Sequence, residues 1–266
     1  MLGSDVIDSA SDEVSGMEQA DRDRLSRAAA LRRWEPLTGV GFIALFVAGF
    51  LMNTSPNPDD SNATWTSYFA DRGHQALITI SGFMIVASGL CLLAFLATVW
   101  QRVAVARRPE APSPVPLVAA GVAAAAIVVG GVAQAVVTGS IIFGSMPEPG
   151  VDTLRLAQAL GLPIIMVAGM SAAALSIAAV SIQAYSAGVF GRKLLTLGEV
   201  VAVGLLASVF FFPMALLPIW TAVIVTVLMR RTAEVNEAAA VDERLSAQLS
   251  GSAARTPNGA ATPAPR

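Results

Sequence analysis

Residues 75–100 read QALITISGFMIVASGLCLLAFLATVW, without an Asp, Glu, Lys, Arg or His in the whole run. The hydrocarbon core of a bilayer is about 30 Å thick, so a helix that crosses it needs about 20 mostly apolar residues. The hydrophobicity of this run is continuous rather than alternating, which is typical of a helix and not of a barrel strand. The run therefore predicts a transmembrane α-helix.

Three further apolar runs have the same character. They lie at 36–53, 115–143 and 154–186, and none carries an ionised side chain away from its ends. A charge at the bilayer centre costs about 2.5–3.5 kcal/mol on insertion scales, so the lack of charge is a strong signal. Each run is predicted to cross the membrane once.

The last apolar block, 194–229, is too long for one crossing. As a single helix it would extend about 54 Å, well beyond the thickness of the bilayer. Pro213 and Pro218 lie in its middle, where each removes a backbone donor and disfavours helix at the residue before it. We therefore predict two spans, 194–212 and 215–230, with Pro218 in the first turn of the second.

Basic residues flank the predicted spans, and the positive-inside rule assigns them to the cytoplasm. The two opposite loops, 54–74 and 144–153, and their flanks carry only Arg72 and Arg155. The sequence thus predicts an all-α polytopic transmembrane helix bundle with six spans and both termini cytoplasmic, in the plasma membrane. Four helices followed by a re-entrant hairpin are the alternative. The cytoplasmic basic residues are Arg22, Arg24, Arg27, Arg32, Arg33, Arg102, Arg107, Arg108, Arg192, Lys193, Arg230 and Arg231.

The composition excludes several classes of function. Only 14% of the 266 residues are charged and the mean hydropathy is +0.64, whereas soluble domains are about one quarter charged. One His and one Cys exclude most metal and iron–sulfur sites, and a formal charge of −2 offers no basic surface for nucleic acid. The motifs of intramembrane proteases and of phosphate-binding loops are absent from the sequence. We expect no cofactor, no metal and no enzymatic activity.

The segments outside the membrane fall into three kinds. Residues 1–33 are predicted to form a disordered and juxtamembrane cytoplasmic tail, and 34–231 to form the transmembrane domain. The tail 232–266 is predicted to begin as a helix and to end as a flexible Gly/Pro/Ala-rich segment.

The first external loop carries an aromatic pattern. Trp65, Tyr68 and Phe69 are spaced to share one face of a helix. We expect a short helix that lies on the outer leaflet, because aromatic rings favour the membrane–water boundary. The alternative is a lid over a cavity. The chemical alternative, a lipid-directed enzyme, would use Asp59, Asp60, Asp71 and His74 of the same loop.

Few polar side chains lie within the predicted spans. The candidates for a ligand or a transport path are Gln134, Thr138, Gln158, Gln183 and Glu199. The competing interpretation is that the amides join helices by hydrogen bonds, and that Glu199 extends toward the basic residues at the cytoplasmic boundary.

Small residues recur at spacings that allow helix backbones to approach closely. The third and fourth predicted helices should therefore form the tight centre of the bundle. The predicted packing residues are Ala168, Gly169, Ala172, Ala173 and Ser176 in the fourth helix and Gly121 and Ala125 in the third.

Three stretches carry a family resemblance: RRWEPLTGVGFIALFVAGF (32–50), a W-x-x-Y-F-A-D core (65–71) and LPIWTAVIVTVLMRR (217–231). In them the chain resembles a family of uncharacterised six-helix bacterial integral membrane proteins. The resemblance implies six spans and a cytoplasmic C-terminus, and it brings no activity, ligand or catalytic residue.

These observations favour a multi-pass protein without enzymatic activity that packs in the lipid bilayer with itself or with a membrane partner. The alternative is a small transporter or permease subunit with a polar path through Gln134, Thr138 and Glu199.

Overall fold

The structure is a computed structural model that describes residues 36–107, 111–144, 147, 149–210, 212–230 and 233. The predicted segments 1–33 and 232–266 lie outside the described residues, apart from residue 233. The chain divides into two units, Met1–Val223 and Ile224–Arg266. Of the second unit the structure describes the end of the last helix.

Every regular element in the described part of the chain is helical, which confirms the all-α prediction. Four helices are long and apolar enough to cross a membrane, and α1 is apolar but shorter. The four long helices correspond to four of the six predicted spans. The helices are α1 (Pro36–Met52), α2 (Asn62–Ala70), α3 (Arg72–Ala106), α4 (Val115–Gly144), α5 (Val151–Ser186), α6 (Arg192–Leu206) and α7 (Pro213–Arg230), of which α3, α4, α5 and α7 have membrane length.

Pro163 distorts α5 without ending it. The helix continues through a π-helical segment, Ile164–Gly169, and returns to α geometry at Met170. Proline lacks the N–H of a regular helix, and a π-turn is one way in which a helix absorbs that loss. The predicted fourth span is therefore one continuous helix.

Pro213 does separate two helices. α6 ends at Leu206, and the chain then passes through 3-10 turns at Ser208–Phe210 and Phe212–Ala215. The predicted span 194–212 thus ends earlier than expected, because the tight 3-10 turns occupy its last residues. Pro218 lies in the first turn of the regular α-helix that starts at 216, as predicted.

α4 lies between α3 and α5 in close backbone contact with both. A Cβ atom placed on Gly82 of α3 would lie 2.7 Å from the Gly131 carbonyl oxygen, and one on Gly131 would lie 2.9 Å from the Gly82 oxygen. On the other side of α4, Gly130 and Gly161 of α5 stand in the same relation, with 2.7 Å in each direction. No side chain fits at either crossing, so both helix pairs depend on glycine.

The predicted packing residues are only partly those at the helix contacts. Gly169, Ala173 and Ser176 are buried, and the Ser176 hydroxyl donates to the Pro116 carbonyl at 2.8 Å. Ala172 and Gly121 are half-buried, whereas Ala125 and Ala168 are exposed. The closest contacts use the two glycine pairs instead, because these residues face a neighbouring helix and Gly121 does not.

Candidate functional site

A layer of buried and half-buried polar side chains lies where α1 ends, α3 begins, α4 ends and α5 begins. We call it the polar layer. It contains Asn53, Gln75, Thr79, Gln134, Thr138 and Gln158.

Gln134 is the centre of this layer and is only 1% exposed. Its side-chain oxygen accepts a hydrogen bond from the Asn53 Nδ2 atom at 3.2 Å. Its backbone oxygen accepts one from the Gln158 Nε2 atom, also at 3.2 Å. Gln134 therefore connects the end of α1, the interior of α4 and the first turns of α5.

A chain of hydrogen bonds extends the layer from α4 to α2. The hydroxyl oxygens of Thr138 and Thr79 lie 2.8 Å apart, and both residues are buried. The Thr79 hydroxyl oxygen also lies 2.9 Å from the Gln75 carbonyl oxygen. The Gln75 Nε2 atom in turn donates to the Phe69 carbonyl at 2.6 Å. The polar layer is thus connected by hydrogen bonds to the backbone of α2.

One hydrogen-bond acceptor in the polar layer is unpaired among the described residues. The Oδ1 atom of Asn53 is buried and has no hydrogen-bond partner among the described residues. An unpaired buried polar atom costs about 1–3 kcal/mol, so this oxygen favours any further donor that reaches it.

The structure brings together three of the five predicted path residues. Gln134, Thr138 and Gln158 meet in the polar layer, whereas Gln183 lies about 37 Å further along α5, as the helical rise requires. There its Nε2 atom approaches the Ser113 carbonyl at 3.4 Å. Glu199 is exposed on α6 and does not join either group. The predicted path through Gln134, Thr138 and Glu199 thus combines two buried residues of α4 with an exposed residue of α6.

Sequence reasoning did not assign Asn53, Gln75 or Thr79 to this site. Gln75 and Thr79 are one helical turn apart on α3, and that spacing is a signal for a shared polar face. Asn53 offered no such signal, because it reaches Gln134 across 81 positions of the chain.

Two of the three aromatic residues of α2 pack against the protein. Trp65 and Phe69 are buried, with stacked rings whose centroids lie 5.6 Å apart. They form an apolar cluster with Ile78 of α3 and Leu154 of α5. The predicted helix is present, capped by the Ser61 side chain, but its apolar face covers the end of the bundle.

Arg155 connects α5 to the segment that precedes α2. Its guanidinium donates to the carbonyl oxygen of Asp60 and lies 5.6 Å from the Trp65 ring centroid. Its Nε atom is buried and has no hydrogen-bond partner among the described residues. An arginine above an aromatic face gains a cation–π attraction, so Arg155 holds both the backbone and the ring of this segment.

The acidic residues proposed for a lipid-directed enzyme have local structural contacts. A side-chain oxygen of Asp60 accepts from the Asn57 backbone N–H at 2.8 Å, and one of Asp71 accepts from the Gly73 N–H at 2.7 Å. The His74 ring stacks on Tyr68, with centroids 4.0 Å apart. These contacts shape the turns on each side of α2.

No family model, no curated protein and no solved structure matches this chain. The resemblance to uncharacterised six-helix bacterial membrane proteins stays a prediction.

Proposed function

We propose that this protein is a six-span plasma-membrane protein with both termini in the cytoplasm, and that it acts without an enzymatic step. Its role is to pack in the bilayer with a second copy of itself or with another membrane protein. Four helices of membrane length support the membrane assignment. The packing role is supported by the outward face of α4, which carries Val118, Gly121, Val122, Ala125 and Val129.

The α6–α7 pair supports two further crossings rather than a shallow hairpin. Ser208, in the turn between these helices, donates to the Met166 carbonyl of α5 at 2.6 Å. Gln183, near the other end of α5, contacts the loop carbonyl of Ser113. The helical rise from Met166 to Gln183 is about 26 Å, close to the thickness of a bilayer core. The turn at Ser208 thus packs deep along α5, which favours two crossings over a shallow hairpin.

The outward face of α4 combines exposed valines with small residues. Val118 is 64% exposed and Val122 and Val129 about half exposed, which suits contact with lipid or with another helix. A Cβ atom on Gly121 would meet nothing within 4 Å, and Ala125 is exposed one turn further along. Small residues four positions apart let a second helix approach this face closely.

Gly121→Leu is expected to reduce self-association or partner association without loss of the fold, because the new side chain enters open space on this face. Native mass spectrometry and crosslinking in mild detergent should show oligomer or partner occupancy that falls several-fold. Val200→Leu is the matched control, since Val200 is an exposed apolar residue on α6. A wild-type protein that is strictly monomeric and without partners would contradict the proposal.

A second candidate function, a small transporter or permease subunit, is supported by the unpaired Asn53 Oδ1 atom in the polar layer. The path would then use Gln134 and Thr138, with Glu199 outside it because its side chain is exposed. Proton flux into proteoliposomes, read with a trapped pH-sensitive dye, distinguishes the two functions. Flux that Gln134→Leu abolishes, in a variant that still elutes as a monodisperse peak before reconstitution, would favour transport. Wild-type flux equal to that of empty liposomes would favour packing alone.

A further inference from the structure

We propose that α2 is a hinged lid over the polar layer and that Arg155 is the latch that keeps it closed. The 9 residues of α2 lie between the non-helical segment 53–61 and the single non-helical residue Asp71. Both flanks can therefore change conformation without breaking a helix of membrane length. This inference concerns one end of the bundle and does not depend on the number of spans or on the proposed partner.

The lid is attached to the bundle through few groups. Trp65 and Phe69 pack in one apolar cluster with Ile78 and Leu154, while Thr64, Thr66 and Ser67 of the same helix are exposed and polar. The Trp65 Nε1 atom donates to the Asn57 carbonyl at 3.1 Å, a bond within the lid segment itself. An amphipathic helix with so small an apolar face is held mainly by those two rings, and local opening of such a unit is the ordinary low-energy motion of a folded protein.

Arg155 supplies the strongest polar contact between the lid segment and the helices beneath it. Its side chain, on α5, donates to the Asp60 carbonyl and lies over the Trp65 ring. A charged donor makes a stronger hydrogen bond than a neutral one, and the cation–π contact adds to it. The Arg155 Nε atom is buried and has no partner among the described residues. Water can hydrogen-bond to it when the lid opens, and this gain reduces the free-energy cost of opening.

The closed lid covers the polar layer directly. Phe69 accepts from Gln75 through its carbonyl, and the Tyr68 hydroxyl lies 2.8 Å from the Thr54 hydroxyl, next to Asn53. Movement of α2 away from α3 and α5 breaks both contacts. It exposes the Asn53 Oδ1 atom and the Thr79–Thr138 pair to the aqueous phase. The lid thus controls access to the acceptor that the closed structure leaves unpaired.

The test measures how fast a buried reporter cysteine reacts in the purified full-length protein in detergent. Cys91→Ala removes the native thiol, and Thr138→Cys places the reporter in the polar layer, where Thr138 is fully buried. Adding Arg155→Ala is expected to raise the maleimide labelling rate of this reporter about tenfold, the effect of losing roughly 1.4 kcal/mol of latch contact. Trp65→Phe, a milder change that keeps the apolar contact, should raise it about threefold.

Two controls separate a lid from general loosening. Arg72→Ala removes an exposed arginine at the same end of the bundle and should leave the rate unchanged. A second reporter, Ser176→Cys, lies buried at the far end of α5 and should label equally slowly with and without Arg155→Ala. An Arg155→Ala effect on Thr138→Cys alone supports the latch. No effect on either reporter, or an equal rise in both, would overturn it.

Discussion

Gly130→Val is expected to prevent the protein from folding into a stable bundle. A Cβ atom at this position would lie 2.7 Å from the Gly161 carbonyl oxygen and would collide with the side chain of Ile165. The carbonyl belongs to the backbone of α5, so it cannot turn aside as a flexible side chain would. Overpacking of a close contact costs about 1–3 kcal/mol, and a valine against backbone should reach or exceed the upper end.

Fluorescence-detected size-exclusion chromatography after a heating series measures this effect. We expect the Gly130→Val protein to show almost no monodisperse peak, and Gly130→Ala to lose the peak at a clearly lower temperature than wild type. Gly121→Val is the matched control, because Gly121 lies on the same helix with nothing within 4 Å of its Cβ position. Equal thermal stability of the Gly130→Val and Gly121→Val proteins would contradict the close crossing of α4 and α5.

Gln134→Leu is expected to destabilise the protein by about 1–3 kcal/mol. The change removes the acceptor for the Asn53 Nδ2 atom, and Asn53 then carries both an unpaired donor and an unpaired acceptor at a buried site. The leucine also crowds Gly161, against which the Gln134 side chain is already closely packed. The same heating series should show a lowered midpoint for loss of the monodisperse peak.

Gln183→Leu is the control for the loss of an amide. Gln183 makes one long hydrogen bond of 3.4 Å, and its Oε1 atom is buried without a partner among the described residues. Because little is lost and an unpaired oxygen is removed, we expect a midpoint equal to that of wild type or slightly higher. A Gln183→Leu protein that is less stable than Gln134→Leu would show that the polar layer is not the stronger junction.

The membrane-length helices could be predicted because uninterrupted hydrophobicity over about 20 residues has few other structural solutions. The runs 75–100, 115–143, 154–186 and 215–230 all correspond to helices of that length. The turn at Pro213 was also predictable, since proline removes a backbone donor in the middle of an overlong apolar block.

The contacts between helices could not be predicted in the same way. A transmembrane helix is apolar on every face, so periodicity does not show which small residue meets a neighbour. For this reason Gly121 and Ala125 resembled packing residues as closely as Gly130 and Gly161 do. Only the relative register of α4 and α5 decides between them.

The aromatic face of α2 illustrates a second limit. The spacing of Trp65 and Phe69 correctly predicted a helix, but an apolar face is attracted both to a lipid boundary and to a protein groove. The apolar cluster that Trp65 and Phe69 join includes Ile78 and Leu154, which are far apart in the chain, so the sequence pattern alone could not favour the protein surface. The sequence did not predict the role of Asn53 for the same reason, because its partner Gln134 lies 81 positions away in the chain.

Cysteine labelling in intact cells tests the six-span arrangement most directly. In the Cys91→Ala background, single cysteines replace Ala70 on α2, Ala215 in the first turn of α7 and Gly191 before α6, all at exposed positions. The proposed arrangement predicts that a membrane-impermeant maleimide labels the first two from outside, and labels the third only after permeabilisation. Labelling at position 191 in intact cells, or protection at position 215 while position 70 reacts, would contradict it.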